Sequence, residues 1–149
     1  MRKILLDTNL LVRLADPASV AHITTLMALM RLKQSGDTCC ITVQNLVEFR
    51  AVATRPISAN GLGLTSSAAE LIALDFENDF TLLPDTPAIF PIWKDLVSWA
   101  AVLGKQVHDA RLVAVAIAGN AEAILSFNTS HFTRICSFTT LQLLDPFAV

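Results

Sequence analysis

The chain has 149 residues, of which 53% are hydrophobic and 16% charged, and its formal net charge is −2. This length suits a single domain, here 1–149, and the apolar content supports a large core, which excludes an extensively disordered protein. The negative charge excludes a protein held on nucleic acid by bulk positive charge, but not one with a small local groove.

Nothing in the chain predicts secretion or membrane insertion. Only three apolar residues separate Lys3 from Asp7, too few for a signal peptide. No charge-free apolar run reaches the roughly 20 residues that a membrane span needs. The cysteines, three in number and without metal-ligand spacing, are typical of reduced thiols. We therefore expect a cytoplasmic protein with no membrane association.

Short apolar strands alternate with helices along the chain. In order, the pattern predicts a strand over 4–6, helices over 10–15 and 20–34, a strand over 39–42, a helix over 43–55, a loop over 57–64, a helix beginning near 65–67, a strand over 80–83, helices over 86–103 and 107–118, and strands over 123–127 and 141–144. Ser19 is the expected N-cap of the second helix. Thr65 or Ser67 is expected to cap the fourth, with Ser67 and Glu70 as a candidate capping box. Such alternation predicts a parallel sheet with helices on both faces.

The first strand ends abruptly on an acid. Ile4, Leu5 and Leu6 read as a buried central strand of a parallel sheet, and Asp7 follows directly. Ligands in open α/β sheets bind at the carboxyl ends of the strands. A carboxylate beside buried apolar side chains loses hydration free energy unless it is paired or bound to a cation. Asp7 is therefore the first candidate for a functional residue.

Three further polar residues are expected at the same edge. Glu48 lies early in the helix after the second strand, Asp109 in the first turn of the buried helix, and Asn128 just past a later strand. Carboxyl ends of parallel strands share one edge, so these side chains should meet Asp7 there. Oxygen ligands of this kind suit magnesium, and no set of histidines and cysteines competes for zinc.

Each of these residues also has an ordinary structural interpretation. Asp109 would complement the helix dipole, a gain of about 0.3–1 kcal/mol. Glu48 would be a solvated helix residue, and Asn128 a turn residue. Asn9 either caps the first short helix or holds a metal-bound water.

The same residues resemble the motifs of the PIN domain, in particular those of VapC-type toxin ribonucleases. The resemblance rests on Leu6-Asp7-Thr8-Asn9, on Thr42 with Glu48, on His108-Asp109-Ala110, and on Leu125-Ser126-Phe127-Asn128 with Phe132. These motifs follow the family's order over nearly the whole chain.

The resemblance implies a fold, an activity and partners. The fold would be a three-layer α/β/α sandwich with a central parallel sheet. The activity would be that of an endoribonuclease dependent on Mg²⁺ or Mn²⁺, cutting RNA to leave a 5′-phosphate and a 3′-hydroxyl. The protein would be the toxin of a type II toxin–antitoxin pair, a homodimer neutralised by a cognate antitoxin protein.

The resemblance also assigns residues to the site. Asp7, Glu48 and Asp109 match the family's acidic positions and are the expected catalytic residues and metal ligands. Asn128 stands where many members have a fourth acid and is the fourth expected catalytic residue, though not a metal ligand. His131 stands where an aspartate often precedes the phenylalanine. These two departures from the family pattern put a second metal ion in question more than the first. Candidates for holding the attacking water or the substrate phosphates are Asn9, Ser126, Arg13 and Arg111.

Two other functions stay open at this point. Phosphatases of the haloacid-dehalogenase type also place an acid after a first strand, but they usually have a second aspartate two residues on, where this chain has Asn9. A catalytically degenerate PIN-fold interaction module is the second alternative. Asn128 and the low number of basic residues favour it, whereas the retained Asp7, Glu48 and Asp109 disfavour it.

Overall fold

Five short strands form one all-parallel sheet, and seven α-helices surround it. The computed structural model describes residues 1–149. The strands are β1 (Lys3–Leu6), β2 (Thr38–Thr42), β3 (Thr81–Leu83), β4 (Ala123–Leu125) and β5 (Gln142–Leu144). The helices are α1 (Thr8–Leu14), α2 (His22–Gln34), α3 (Val43–Thr54), α4 (Ser66–Asp79), α5 (Ile89–Trp99), α6 (Gln106–Ala118) and α7 (Thr129–Cys136).

The strand order is β3-β2-β1-β4-β5, with β1 at the centre. Leu5 pairs with Cys40 of β2 on one side and with Ile124 of β4 on the other. The chain first winds outward through β2 and β3 and then crosses back to β4 and β5. The order therefore reverses between β1 and β4, which is the switch point where doubly wound sheets bind ligands.

Two apolar clusters form the core, one on each face of the sheet. Successive side chains of a strand point to opposite faces, so Leu5 and Ile124 join one cluster while Leu6 and Leu125 join the other. The first cluster is covered by α5, α6 and α7, and the second by α1 to α4. This arrangement confirms the predicted three-layer α/β/α sandwich.

Several predicted element boundaries were wrong. Helix α2 begins at His22 with Ala21 as its N-cap, and the Ser19 hydroxyl only accepts a bond from the Ala21 amide. Thr65 caps α4, but the capping box was wrong, because Glu70 instead pairs with Arg50 on α3. Helix α5 covers only Ile89–Trp99 of the predicted 86–103.

Helix α7 was not predicted at all. It has eight residues, and the sequence Asn128-Thr129-Ser130 at its start is typical of a turn. Its signal is the buried set Phe132, Ile135 and Cys136, spaced three and four apart on one helix face.

The helices are short. The longest has 14 residues, and none combines the length and the apolar character that crossing a bilayer requires.

Candidate active site

Asp7 lies at the switch point between β1 and β4. Its backbone N–H donates to the carbonyl oxygen of Leu125, 2.9 Å away, which continues the pairing of the two strands past their ends. Its carboxylate oxygen Oδ2 accepts hydrogen bonds from Ser126 Oγ at 2.6 Å and from Asn9 Nδ2 at 2.9 Å. The carboxylate is thus held at the carboxyl edge of the sheet, where the sequence predicted it.

The pKa of Asp7 is raised from an ordinary 3.8 to about 6, mainly because the carboxyl is buried. Within this net shift, the charges of Asp109 and Glu48 also raise the pKa, while hydrogen bonds from Ser126 and from the backbone of Thr8 lower it. The charges of Asp109 and Glu48 thus act on the Asp7 carboxyl, and the charge of Glu48 also acts on Asp109.

Ser126 is fully buried directly after β4, and its hydroxyl has no hydrogen-bonding capacity left. It donates to Asp7 and accepts from Asn9 Nδ2 at 3.2 Å and from the backbone N–H of Asn128 at 2.9 Å. A hydroxyl offers one donor and two acceptor positions, so all three are used. Ser126 therefore orients Asp7 and is not free to bind a phosphate.

Asn9 uses both amide hydrogens on Asp7 and Ser126. Its oxygen Oδ1 is buried without a hydrogen-bond partner, and it is the one buried side-chain polar atom in the structure of which this is true. An unsatisfied buried acceptor costs about 1–3 kcal/mol, so a bound cation or water would relieve it.

Glu48 is held by hydrogen bonds on both carboxylate oxygens. Oε2 accepts from Thr8 Oγ1 at 2.7 Å, and Oε1 accepts from Gln44 Nε2 at 2.8 Å. Thr8 in turn accepts from Asn45 Nδ2, the residue that forms the capping box of α3 with Thr42. These contacts hold the Glu48 carboxylate at the edge of the sheet. Glu48 is therefore not simply a solvated residue on the surface of α3.

Asp109 lies half-buried in the first turn of α6 and accepts no hydrogen bond from a protein group. Burial raises its pKa, with a further contribution from Glu48, whereas His131 and His108 act in the opposite direction. His131 belongs to α7, so the unpredicted helix places an imidazole near this acid.

Arg111 lies two residues beyond Asp109, beside a cavity of about 460 Å³ whose wall also includes Glu48 and His108. Its guanidinium donates to Gln44 Oε1 at 3.0 Å and to Asp85 Oδ1 at 2.9 Å. Arg111 is thus at the border of the acidic site, whereas Arg13 is exposed in the last turn of α1 and forms no ion pair.

Asn128 contributes differently from the acids. Asn128 is exposed and its side chain makes no hydrogen bond. Only its backbone N–H contacts the site, by donating to Ser126 Oγ. Gln44 is a further polar group at the site that the sequence reasoning did not single out, whereas Thr8 and His131 were named there without a role in holding the acids. For Gln44 a signal was present, because it precedes Glu48 by four residues and therefore shares its helix face.

No three His, Cys, Asp or Glu side chains in the protein are arranged closely enough to hold one metal ion between them. The candidate metal donors at this edge, the carboxylates of Asp7, Glu48 and Asp109 and the unpaired Oδ1 of Asn9, are nevertheless all oxygens. Such a set fits Mg²⁺, which is usually bound by one or two carboxylates and keeps several waters.

The family model of the PIN domain matches residues 4–137, and the chain belongs to this family. No curated protein matches the sequence significantly.

Solved structures share the fold at low sequence identity. VapBC2 from Rickettsia felis, bound to a DNA fragment from its promoter, has a TM-score of 0.73 at 17% identity, covering 96% of this chain and 98% of that one. VapBC-1 from nontypeable Haemophilus influenzae has a TM-score of 0.70 at 16% identity, with 97% and 98% covered. VapC20 from Mycobacterium tuberculosis, a toxin that cleaves the sarcin-ricin loop, has a TM-score of 0.59 at 17% identity, with 87% and 95% covered.

Proposed function

We propose that this protein is a metal-dependent endoribonuclease and the toxin of a type II toxin–antitoxin pair. The observation that carries the proposal is the site of Asp7, Glu48 and Asp109. The acids come from separate elements of a PIN fold, and the charges of Asp109 and Glu48 raise the pKa of Asp7, while the charge of Glu48 also raises that of Asp109. Such mutual repulsion is relieved by a cation, and acids maintained in spite of it are typical of functional sites.

The structural relatives support the choice of substrate and partner. VapC20 is a toxin that cleaves the sarcin-ricin loop, and VapBC2 was solved bound to a DNA fragment from its promoter. By analogy we propose RNA as the substrate of this chain, together with a cognate antitoxin protein, a homodimeric assembly and a cytoplasmic location.

Mg²⁺, or Mn²⁺ in its place, is the proposed cofactor. Asp7 and Asp109 would hold one ion, together with waters, and the unpaired Oδ1 of Asn9 is an additional oxygen donor at the same edge. Glu48 would orient the bound waters or help to hold a second ion. The ion would increase the acidity of its water and offset negative charge on the scissile phosphate.

The chain's own residues would bind and orient the reacting groups. Ser126 and Asn9 hold Oδ2 of Asp7, and their hydrogen bonds favour its ionised form. Thr8 and Gln44 fix the two oxygens of Glu48. Arg111 lies at the border of the adjoining cavity. It would break its hydrogen bond with Asp85 and donate to a substrate phosphate instead.

The test compares wild type with Asp7→Asn on total RNA, first with Mg²⁺ and then with EDTA. Discrete cleavage by wild type alone, and only with metal, is the expected result. Asp75→Asn is the matched control, since Asp75 is an exposed residue of α4 without an ion pair. Metal-independent cleavage, or an Asp7→Asn variant as active as wild type, would refute the assignment.

The catalytically degenerate interaction module is the second candidate, and Asn128 is the observation that favours it. The residue at the family's fourth acidic position carries no charge and its side chain makes no hydrogen bond. Mg²⁺ binding without cleavage across a broad RNA panel, by folded protein free of any copurified partner, would favour the module over the nuclease.

A further inference from the structure

We propose that Gln44 is a positioning residue, whose single carboxamide sets the placement of Glu48 relative to the helix that carries Asp109. The inference rests on the proposed nuclease function and extends it to a residue outside the acidic set.

The carboxamide of Gln44 makes three hydrogen bonds to two helices. Nε2 donates to Glu48 Oε1 at 2.8 Å and to the carbonyl oxygen of His108 at 2.9 Å. Oε1 accepts from Arg111 Nη1 at 3.0 Å. Both amide hydrogens are used, one on the Glu48 carboxylate and one on the backbone that immediately precedes Asp109.

Apolar packing does not provide this link. Helix α3 packs through Phe49 and Ala53 into the core cluster on one face of the sheet, whereas α6 packs through Ala110 and Val113 into the cluster on the other. The two acids therefore belong to opposite layers of the sandwich. A rigid polar connection across the sheet edge is needed if their carboxylates are to keep a constant separation.

An ordinary helix-surface pair would have only one of these contacts. A Gln and a Glu four residues apart on an exposed helix gain about 0.2–0.5 kcal/mol from each other. Gln44 is half-buried, and its other two bonds reach residues 64 and 67 positions away along the chain. These long-range contacts, which an isolated surface pair lacks, assign it a role in the geometry of the site.

Two substitutions separate positioning from mere packing. Gln44→Glu keeps the size and the acceptor for Arg111, but it loses both donors and places a second carboxylate against Glu48. Gln44→Ala removes all three bonds. We expect kcat for RNA cleavage to fall at least about tenfold in both variants, with KM changed less than about twofold, because small displacements of reacting groups reduce the rate strongly. If Gln44 only filled space, the isosteric Gln44→Glu would keep the wild-type kcat.

Direct Mn²⁺ binding, measured by electron paramagnetic resonance, tests the proposal apart from catalysis. Gln34→Ala is the matched control, because Gln34 is an exposed residue at the end of α2. Weaker Mn²⁺ binding by Gln44→Ala than by wild type and by the control supports positioning, even if wild type proves inactive on RNA and the proposed function fails. The positioning role of Gln44 would be overturned if all the proteins bound Mn²⁺ with equal affinity or if none of them bound it. It would also be overturned if wild type were active and both Gln44 variants kept its kcat.

Discussion

Ser126 Oγ donates a 2.6 Å hydrogen bond to Oδ2 of Asp7 and so connects the ends of the two strands that flank the switch point. The same hydroxyl accepts from Asn9 and from the backbone of Asn128, which makes it the common partner of three groups at the site. Burial raises the pKa of Asp7, and because the bond from Ser126 lowers it, Ser126 increases the ionised fraction of this carboxyl.

Replacing Ser126 with alanine should shift the pH dependence of RNA cleavage. Loss of the donor raises the pKa of Asp7 above about 6, so the acid limb of the kcat/KM profile should move to higher pH. Activity at pH 6 should therefore fall more than activity at pH 8. Ser98→Ala, at an exposed position of α5, is the control. A profile of Ser126→Ala that superimposes on the wild-type profile would contradict this account.

Asp7→Asn should stabilise the metal-free protein at neutral and alkaline pH. The folded-state pKa of about 6 lies above the ordinary 3.8, so the native state holds the proton more tightly than the unfolded chain does. The stability that Asp7 contributes is therefore fully present below about pH 4 and is lost as the pH rises through 6. At 1.36 kcal/mol per pKa unit, the loss is up to about 3 kcal/mol.

Urea unfolding in EDTA at pH 4, 6 and 8 measures this effect. The variant should exceed wild type in unfolding free energy at pH 8 and match it near pH 4. The Asp75→Asn variant should follow wild type at each pH. Equal stability of wild type and Asp7→Asn at pH 8 would show that the buried carboxylate carries no such cost.

Asn128→Ala should retain most of the cleavage activity. The side chain of Asn128 makes no hydrogen bond, and its backbone N–H, which the substitution keeps, provides its bond to Ser126. We expect kcat/KM within about tenfold of wild type, a loss of at most about 1.4 kcal/mol. Asp109→Asn, which removes one of the proposed metal ligands, should abolish cleavage. If Asn128→Ala were as inactive as Asp109→Asn, the Asn128 side chain would be part of the catalytic set.

Gly61→Ala should destabilise the protein through the loop that follows α3. A Cβ on Gly61 would lie 2.0 Å from the carbonyl oxygen of Arg55, so the backbone would have to move. In this loop the backbone N–H of Leu62 donates a hydrogen bond to the carbonyl oxygen of Val52 at 3.1 Å. This bond gives a partner to a carbonyl in the last turn of α3, the helix that carries Glu48. We expect a loss of about 3 kcal/mol, at the upper end of overpacking costs.

The matched control for this loop is Gly36→Ala. Gly36 has a φ of +80° but nothing within 4 Å of a built Cβ, so alanine there meets only the conformational penalty, about 1–2 kcal/mol. Urea unfolding gives the free energy of unfolding of each variant. The two values compare the cost of the steric clash at Gly61 with that of the positive φ at Gly36. A Gly61→Ala variant no less stable than Gly36→Ala would contradict the close approach.

The sequence was enough to predict a parallel sheet with helices on both faces, because strand-forming and helix-forming periodicities are local and their alternation restricts the topology. The PIN type of this sandwich was predicted from the resemblance of the motifs around Asp7, Glu48, Asp109 and Asn128. The sequence also predicted that Asp7, Glu48 and Asp109 would approach one edge, since all carboxyl ends of a parallel sheet meet there. Helix α7 escaped notice because a short helix has a weak local pattern and depends on tertiary packing for its stability.

The contacts that hold these acids in place depend on the three-dimensional packing of the chain. The position of β1 between β2 and β4 results from pairing over long stretches of chain, and that pairing brings Ser126 onto Asp7. The connection from Gln44 to His108 joins residues 64 positions apart in opposite layers. Contacts of this kind depend on how the layers stack on the sheet, and local sequence patterns carry no record of that stacking.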